Sequence, residues 1–306
     1  MGFHEFAVNK FCGMVNKIDT KRLKAQSPPS GVECAFDILY GEDKLYNLLD
    51  VYYPEGKLNE KLPVIIDVHG GAWYYGTKDI NKYYCMEIAA KGYKVVNISY
   101  RLLLKGGVFP NNLSDLFYAQ EWVYKNADKF GFDLNNAYIV GDSAGAHLAA
   151  MALAVKCDEK LKSELGFDSK IDFKAAGFIC GVFDIEYYRK RFKIPAVGFF
   201  LKSFFGKDYK TNRFLPYVTI KNCKVESFPP VFMATGNKDF MRKQVLSFKQ
   251  VLDDRGVENE LCDLKGKKHR LNHVYPVIFP LWEESEFVTN NMPVSYTHLR
   301  AHETPE

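Results

Sequence analysis

The strongest constraint in this chain is a junction. A short β-branched run, Tyr138-Ile139-Val140, leads directly into Gly141-Asp142-Ser143-Ala144-Gly145, which opens onto an Ala- and Leu-rich stretch over 144–155. A Gly-x-Ser-x-Gly pattern alone is weak, because three common residues recur at that spacing by chance. Set between a strand and a helix, it specifies a turn sharp enough to lift the serine hydroxyl clear of the sheet, with glycines where a Cβ would clash. The helix N-terminus then adds positive potential where negative charge develops. Ser143 is therefore a candidate nucleophile, against the plainer reading of a serine that caps its helix.

The flanking sequence supplies a sheet to hold that turn. Residues 63–68, Pro-Val-Ile-Ile-Asp-Val, form the near-continuous apolar run of a strand buried on both faces. After it, helical stretches over 80–91, 112–129 and 144–155 alternate with strands over 94–100, 137–140 and 175–182. Two further strands, 231–235 and 258–263, flank a helix at 242–254. Such alternation implies right-handed crossovers and a parallel sheet. Segments 36–40 and 48–53, with a Gly-Glu-Asp turn between them, predict an antiparallel pair at one edge. The expected fold class is α/β, a mostly parallel eight-stranded sheet flanked by helices.

A second loop complements the junction. His69-Gly70-Gly71-Ala72-Trp73 follows the 63–68 strand, where small residues let backbone N–H groups approach a substrate carbonyl oxygen. Gly71, Ala72 and Ala144 are the expected oxyanion-hole donors. His69 is expected to orient this loop, and Asp142 to be a structural partner in the serine turn.

Together, His-Gly-Gly-x-Trp and Gly-Asp-Ser-Ala-Gly resemble the hormone-sensitive-lipase-like esterases and the related carbohydrate-esterase and arylformamidase branches of the α/β-hydrolase fold. The resemblance extends over about residues 33–290. It takes in Ser99-Tyr100-Arg101-Leu102, the segment Pro110…Asp115…Trp122, and Ala234-Thr235-Gly236-Asn237-Lys238-Asp239. Ala72 and Ala146 stand where these relatives carry glycine, small-for-small changes that keep the backbone donors.

In that fold the nucleophile is followed by an acid after the seventh strand and a histidine after the eighth. Asp239 and His273 occupy those places. Asp184 also follows a strand but comes one strand too early. His269 lies in the basic run Lys267-Lys268-His269-Arg270, where neighbouring cations disfavour an imidazolium. His273 precedes Val274-Tyr275-Pro276-Val277, an apolar anchor, and the resembling esterases carry a His-Val-Phe-like sequence there.

The resemblance implies a serine carboxylesterase acting on short-chain or acetyl esters, of sugars or plant-derived aromatics, through an acyl-enzyme and without metal or cofactor. Its alternatives are an arylformamidase-like hydrolase and a non-catalytic ligand-binding homologue that has lost its base, against which His273 stands. Trp73 and Tyr74 are expected to bind substrate, with packing under the loop as the plainer reading.

A chain of 306 residues could hold two domains, but α/β units commonly exceed 250 residues, so one is expected over 31–292. Residues 1–30 read as an N-terminal extension closed by Ser27-Pro28-Pro29-Ser30-Gly31. The arhythmic, aromatic segment 185–223 reads as a small cap. Its Tyr187, Tyr188, Phe192, Phe199, Phe200, Phe204 and Phe205 suit a substrate lid first, with a dimer surface or membrane contact as the other readings. Residues 293–306 resemble a translated sequencing adapter found in assembled metagenomic proteins and are expected to be a non-native tail.

With 41 basic against 37 acidic side chains and a net charge of +4, there is no electrostatic footprint for nucleic acid, and the expected partner is a small-molecule ester. No secretory signal pattern opens the chain, and no apolar stretch of about 18 residues suits a bilayer. The seven cysteines form no metal-spaced cluster. They read as reduced thiols of a cytoplasmic protein. The sequence is compatible with a monomer or a homodimer.

Overall fold

Strands β1 (Val32–Leu39) and β2 (Leu48–Pro54) pair antiparallel at one edge. They are followed by β3 (Leu62–Val68), β4 (Lys94–Ile98), β5 (Phe132–Asp142), β6 (Phe173–Ile179), β7 (Val231–Gly236) and β8 (Asn259–Leu264). The eight form one sheet in the order β1-β2-β4-β3-β5-β6-β7-β8. Beyond the antiparallel β2–β4 pair every neighbour is parallel. The protein, seen here as a computed structural model, is described over residues 3–186 and 195–301.

Ten helices accompany the sheet within the described residues: α1 (Phe3–Ala25), α2 (Lys82–Ala89), α3 (Asn111–Lys125), α4 (Ala127–Phe130), α5 (Ala144–Cys157), α6 (Glu159–Leu165), α7 (Pro195–Phe205), α8 (Arg242–Asp254), α9 (Tyr275–Ile278) and α10 (Glu283–Ala301). One apolar core on one side of the sheet takes in α3, α5 and α8, through residues such as Leu116, Leu148 and Phe248. The second core joins α2 and α10 through Ile88, Val288 and Met292. Both faces of the parallel strands are therefore covered, which is why β3, β4 and β5 read as apolar runs without alternation.

Helix α5 is buried from Ala144 to Val155. Its Ala and Gly residues let it sit against the sheet: a Cβ on Gly145 would come within 1.9 Å of the Val68 carbonyl oxygen. That closeness brings the end of β3 alongside the serine turn.

The observed elements differ from expectation in places with identifiable causes. β5 begins at Phe132, because Asn135 and Asn136, which have turn chemistry, lie in its irregular first half. β6 stops at Ile179, where Cys180 takes φ +50°. Helix α6 was not foreseen; Asp158 caps it through the amides of Lys160 and Leu161, and Gly166 ends it in the left-handed region.

Within the expected cap, α7 is followed by short 3₁₀ turns, and Phe204 and Phe205 are core residues packed on Phe109. Tyr187, Tyr188 and Phe192 lie outside the described residues. The backbone of α10 stays helical to Ala301, beyond the start of the expected tail. All seven cysteines are unpaired thiols. Among the described residues, no helix is long and apolar enough to cross a membrane.

Candidate active site

The end of β5 turns into α5 through Ser143, whose φ of +51° and ψ of −113° are strained for a residue with a Cβ. Its N–H donates to the Ile179 carbonyl at 2.9 Å, tying the turn to the end of β6. A Cβ on Gly141 would meet the backbone of Gly145 and Ala146 at 2.6–2.7 Å. The flanking glycines are thus required by close backbone approach on both sides.

Three elements converge on the Ser143 hydroxyl. His273, from the loop after β8, places Nε2 at 2.9 Å from Ser143 Oγ and Nδ1 at 2.7 Å from Asp239 Oδ1. Asp239, from the turn after β7, also accepts from the Met241 N–H and the Thr235 hydroxyl, both at 2.8 Å. Burial opposes its ionisation, but the bonds from His273, Met241 and Thr235 outweigh that and hold the carboxyl below its ordinary range. An ionised carboxylate only accepts, so the His273 proton sits on Nδ1 and Nε2 is free to accept from Ser143. The two loops are joined directly: the Lys238 N–H donates to the Leu271 carbonyl.

Cys180 supports the same histidine. Its sulfur accepts the Val274 N–H at 3.3 Å, and burial, then the nearby Asp239 carboxylate, push its thiol well above the ordinary range. Cys180, Asp239 and His273 have ligand atoms within 4.8 Å of one another, the one such group among the described residues. A protonated thiol, and a carboxylate already holding three hydrogens, make this a poor cation site.

The glycine-rich loop lies across the turn. Gly71 takes φ +106° because a Cβ there would fall 1.9 Å from the Tyr75 carbonyl oxygen, which a tight turn brings back through bonds from the Tyr74 and Tyr75 amides to the Gly71 carbonyl. Ala72 and Trp73 follow at φ +53° and +64°. His69 is fully buried beneath, stacked on Tyr100, and burial lowers its pKa to about 4, so it stays neutral. Asp142 accepts the Gly70 N–H at 2.9 Å.

Gly71, Ala72, Trp73, Ser143 and His273 line one apolar cleft of about 330 Å³. Tyr74 lies instead in a neighbouring cleft, where its ring stacks on Phe199. The Trp73 ring is mostly buried against Phe200 and His147. Neither rival candidate reaches the serine. Asp184 is engaged by Gln244 and paired with Lys221. His269 bonds Glu284 and stacks on Trp282.

Several residues of the site were missed from sequence. The Phe240 ring packs tilted against the His273 ring, with centroids 4.3 Å apart. Asn81 donates to both Asp67 and Asp142. Helix α1, set aside as an extension, contributes Phe11, Val15 and Ile18 to the cleft. Its half-buried positions 4, 5, 8, 12, 15, 19, 22 and 23 follow a helical period, a signal that was available in the sequence only as a faint amphipathic stripe.

Esterase LipC of Mycobacterium tuberculosis is 36% identical over 152 residues, covering 49% of this chain and 37% of its own. Kynurenine formamidase of Danio rerio is 23% identical over 299 residues, covering 93% and 92%. The crystal structure of an inhibited esterase B from Lactobacillus Rhamnosis superposes with a TM-score of 0.91 at 24% identity, over 99% of this chain and 98% of that one, a likeness of fold. The chain spans about half the length of the first curated relatives it matches. The BD-FAE family profile matches residues 49–251, from β2 to the body of α8 and so through the serine turn and the acid-bearing loop, and the chain belongs to the BD-FAE family.

Proposed function

We propose that the protein is a serine carboxylesterase acting on short-chain or acetyl esters through an acyl-enzyme, with Ser143 as nucleophile, His273 as base and Asp239 as its orienting acid. The observation that carries this reading is the unbroken Asp239–His273–Ser143 hydrogen-bond chain ending on a hydroxyl at a strained turn. His273 Nε2 takes the hydroxyl proton as Oγ attacks the ester carbonyl, while Asp239 stabilises the imidazolium. The N–H groups of Gly71, Ala72 and Ala144 receive the developing oxyanion; the first N–H groups of a helix have no intrahelical acceptor, which frees that of Ala144. His273 then protonates the leaving alcohol, and water, deprotonated by the same ring, releases the acid.

Seven unpaired thiols favour a reducing, cytoplasmic setting. The test is Ser143→Ala with a fluorophosphonate probe and 4-nitrophenyl acetate: labelling and turnover should both vanish while the circular dichroism spectrum stays that of the parent. Labelling that persists in the variant overturns the assignment.

A second reading is favoured by the near-complete coverage of the Danio rerio kynurenine formamidase. An amide bond to a formyl group can be cleaved by the same residues. Comparing kcat/KM for N-formylkynurenine and for an acetyl ester separates the two.

A further inference from the structure

Two apolar clefts meet at Phe11 and Ala72. The first, about 330 Å³, holds Ser143 and His273 and runs past Phe240, Val274 and Val277. The second, also about 330 Å³, is lined by His4, Val8, Phe11, Ala72, Tyr74 and Phe199, among others. Phe11 and Ala72 belong to both, and they are the residues on which the clefts adjoin. The second cleft is roofed by α1 and floored by the glycine-rich loop and α7, whose Phe199 ring stacks on His4 and on Tyr74.

The chemistry assigns the two arms of a bound ester. The leaving oxygen must come within reach of His273 Nε2, so the alcohol portion lies on the side of Phe240, Val274 and Val277. The carbonyl oxygen points to the N–H of Ala72. The acyl chain, on the opposite side of the carbonyl from the leaving oxygen, then heads past Ala72, where the second cleft begins. Phe11, about half exposed, stands at the crossing.

Resting on the esterase reading above, we propose that the second cleft is the acyl-chain subsite and that Phe11 of α1 is the partition that sets which acyl groups enter it. Its walls are almost wholly apolar side chains, so the occupant is a hydrocarbon acyl chain longer than acetyl. The chain-length preference of the protein is thereby placed in its first helix, outside the sheet and outside the stretch matched by the family profile.

The experiment measures kcat/KM for 4-nitrophenyl acetate, butanoate, hexanoate and octanoate with the wild type, Val8→Trp and Phe11→Ala. Val8 faces the second cleft only. Val8→Trp fills that space and should lower the octanoate-to-acetate ratio at least about tenfold, the scale set by one or two methylenes in an apolar site, with acetate little changed. Phe11→Ala opens the partition and should shift the octanoate-to-acetate ratio severalfold upward, and a ratio left at the parental value would overturn the role given to Phe11. Fluorophosphonate labelling at the parental rate verifies that each variant is folded. An octanoate-to-acetate ratio unchanged in Val8→Trp overturns this inference and leaves the esterase reading standing. Hydrolysis of no ester by the wild type overturns that reading and the subsite with it.

Discussion

Asp142 accepts the Gly70 N–H, so the residue before the candidate nucleophile holds the loop carrying the expected oxyanion donors. The same Oδ1 accepts from Asn81 Nδ2 at 2.9 Å, and the contact is close enough that a Cβ on Gly70 would lie 2.3 Å from the other carboxyl oxygen. Serine turn and loop are therefore one body. Replacing Asp142 by Ala leaves the Gly70 N–H buried without a partner, at a cost of about 1–3 kcal/mol. Asp142→Ala is expected to lower the midpoint of thermal unfolding and to reduce kcat more than it raises KM, because misplaced donors act on the transition state. Asp142→Asn keeps an acceptor oxygen and should fall between the variant and the parent. Equal behaviour of Ala and Asn variants would show that the bond does not align the loop.

Asp67 and Asp142 share one amide group, each accepting from Asn81 Nδ2 at 2.9 Å. Burial, and then the Asp142 charge, push the Asp67 carboxyl up to about 7. Burial also raises Asp142, against the bonds from Asn81 and Gly70 that lower it. The folded protein thus holds a proton that the unfolded chain releases near the ordinary carboxyl value of about 4. A state that binds more protons is weakened as they are withdrawn, so this pair costs stability progressively from roughly pH 4 to roughly pH 7, and the cost is constant above. Asp67→Asn removes the titration and keeps an acceptor for Asn81. Its thermal midpoint, relative to the parent, should climb as pH rises from 5 to 8. A difference that stays flat across that range would mean the pair is not protonated in the fold.

His273 rather than His269 is expected to carry the proton. His273 bonds both Ser143 and Asp239, whereas His269 bonds Glu284 on the far side of its loop. His273→Ala should reduce turnover by about three orders of magnitude or more, as when a member of such a triad is lost. His269→Ala should stay close to wild type. Steady-state rates on 4-nitrophenyl acetate decide between them, and the reverse ranking would overturn the assignment.

How much of this was readable in advance depended on distance along the chain. Gly141 and Gly145 mark the serine turn because their role is local, and the number of strands and their mostly parallel run followed from strand-like and helical stretches in alternation, while the order of the strands did not. Asp239 and His273 were expected from their order after the seventh and eighth strands, with the apolar run after His273 and the family resemblance deciding against His269. The Asp67–Asn81–Asp142 link was not legible: Asp67 looks like one polar interruption in a β-branched strand, and its partner sits 14 residues away in a 3₁₀ turn. Tyr74, expected with Trp73 to bind substrate, lines the cleft next to that of Ser143. Phe11, Val15 and Ile18 were missed because nothing in a mixed, weakly amphipathic helix says which surface it will cover.

The attachment of α1 is the remaining feature with a direct test. Arg22 Nη2 donates to the Ile80 carbonyl at 2.8 Å, its Nε to Asp19 at 2.9 Å, and Asp19 in turn accepts from the Tyr75 hydroxyl at 3.0 Å. Gln26 adds a bond to the Ile278 carbonyl at 2.9 Å. These polar clasps gather at the last two turns of α1 and just beyond, while Phe11, Met14 and Ile18 farther up leave much of their surface exposed. The helix is thus tethered mainly near one end, with a weak bond from the Cys12 thiol to the Tyr74 carbonyl farther up. Arg22→Ala removes the tether without touching Ser143, His273 or Asp239. Loss of the bonds to Ile80 and Asp19 should loosen α1 locally, because its contacts with the sheet are few, and leave the midpoint of global unfolding within a few degrees of the parent. Limited proteolysis should then cut within residues 3–25 several-fold faster. KM for 4-nitrophenyl octanoate should rise about fivefold or more with kcat for the acetate nearly constant, the signature of lost binding that is equal in ground and transition states. Lys21→Ala, on an exposed position of the same helix, serves as the control and should change neither. Proteolysis and KM that match the control in Arg22→Ala would show that the Arg22 bonds do not tether α1.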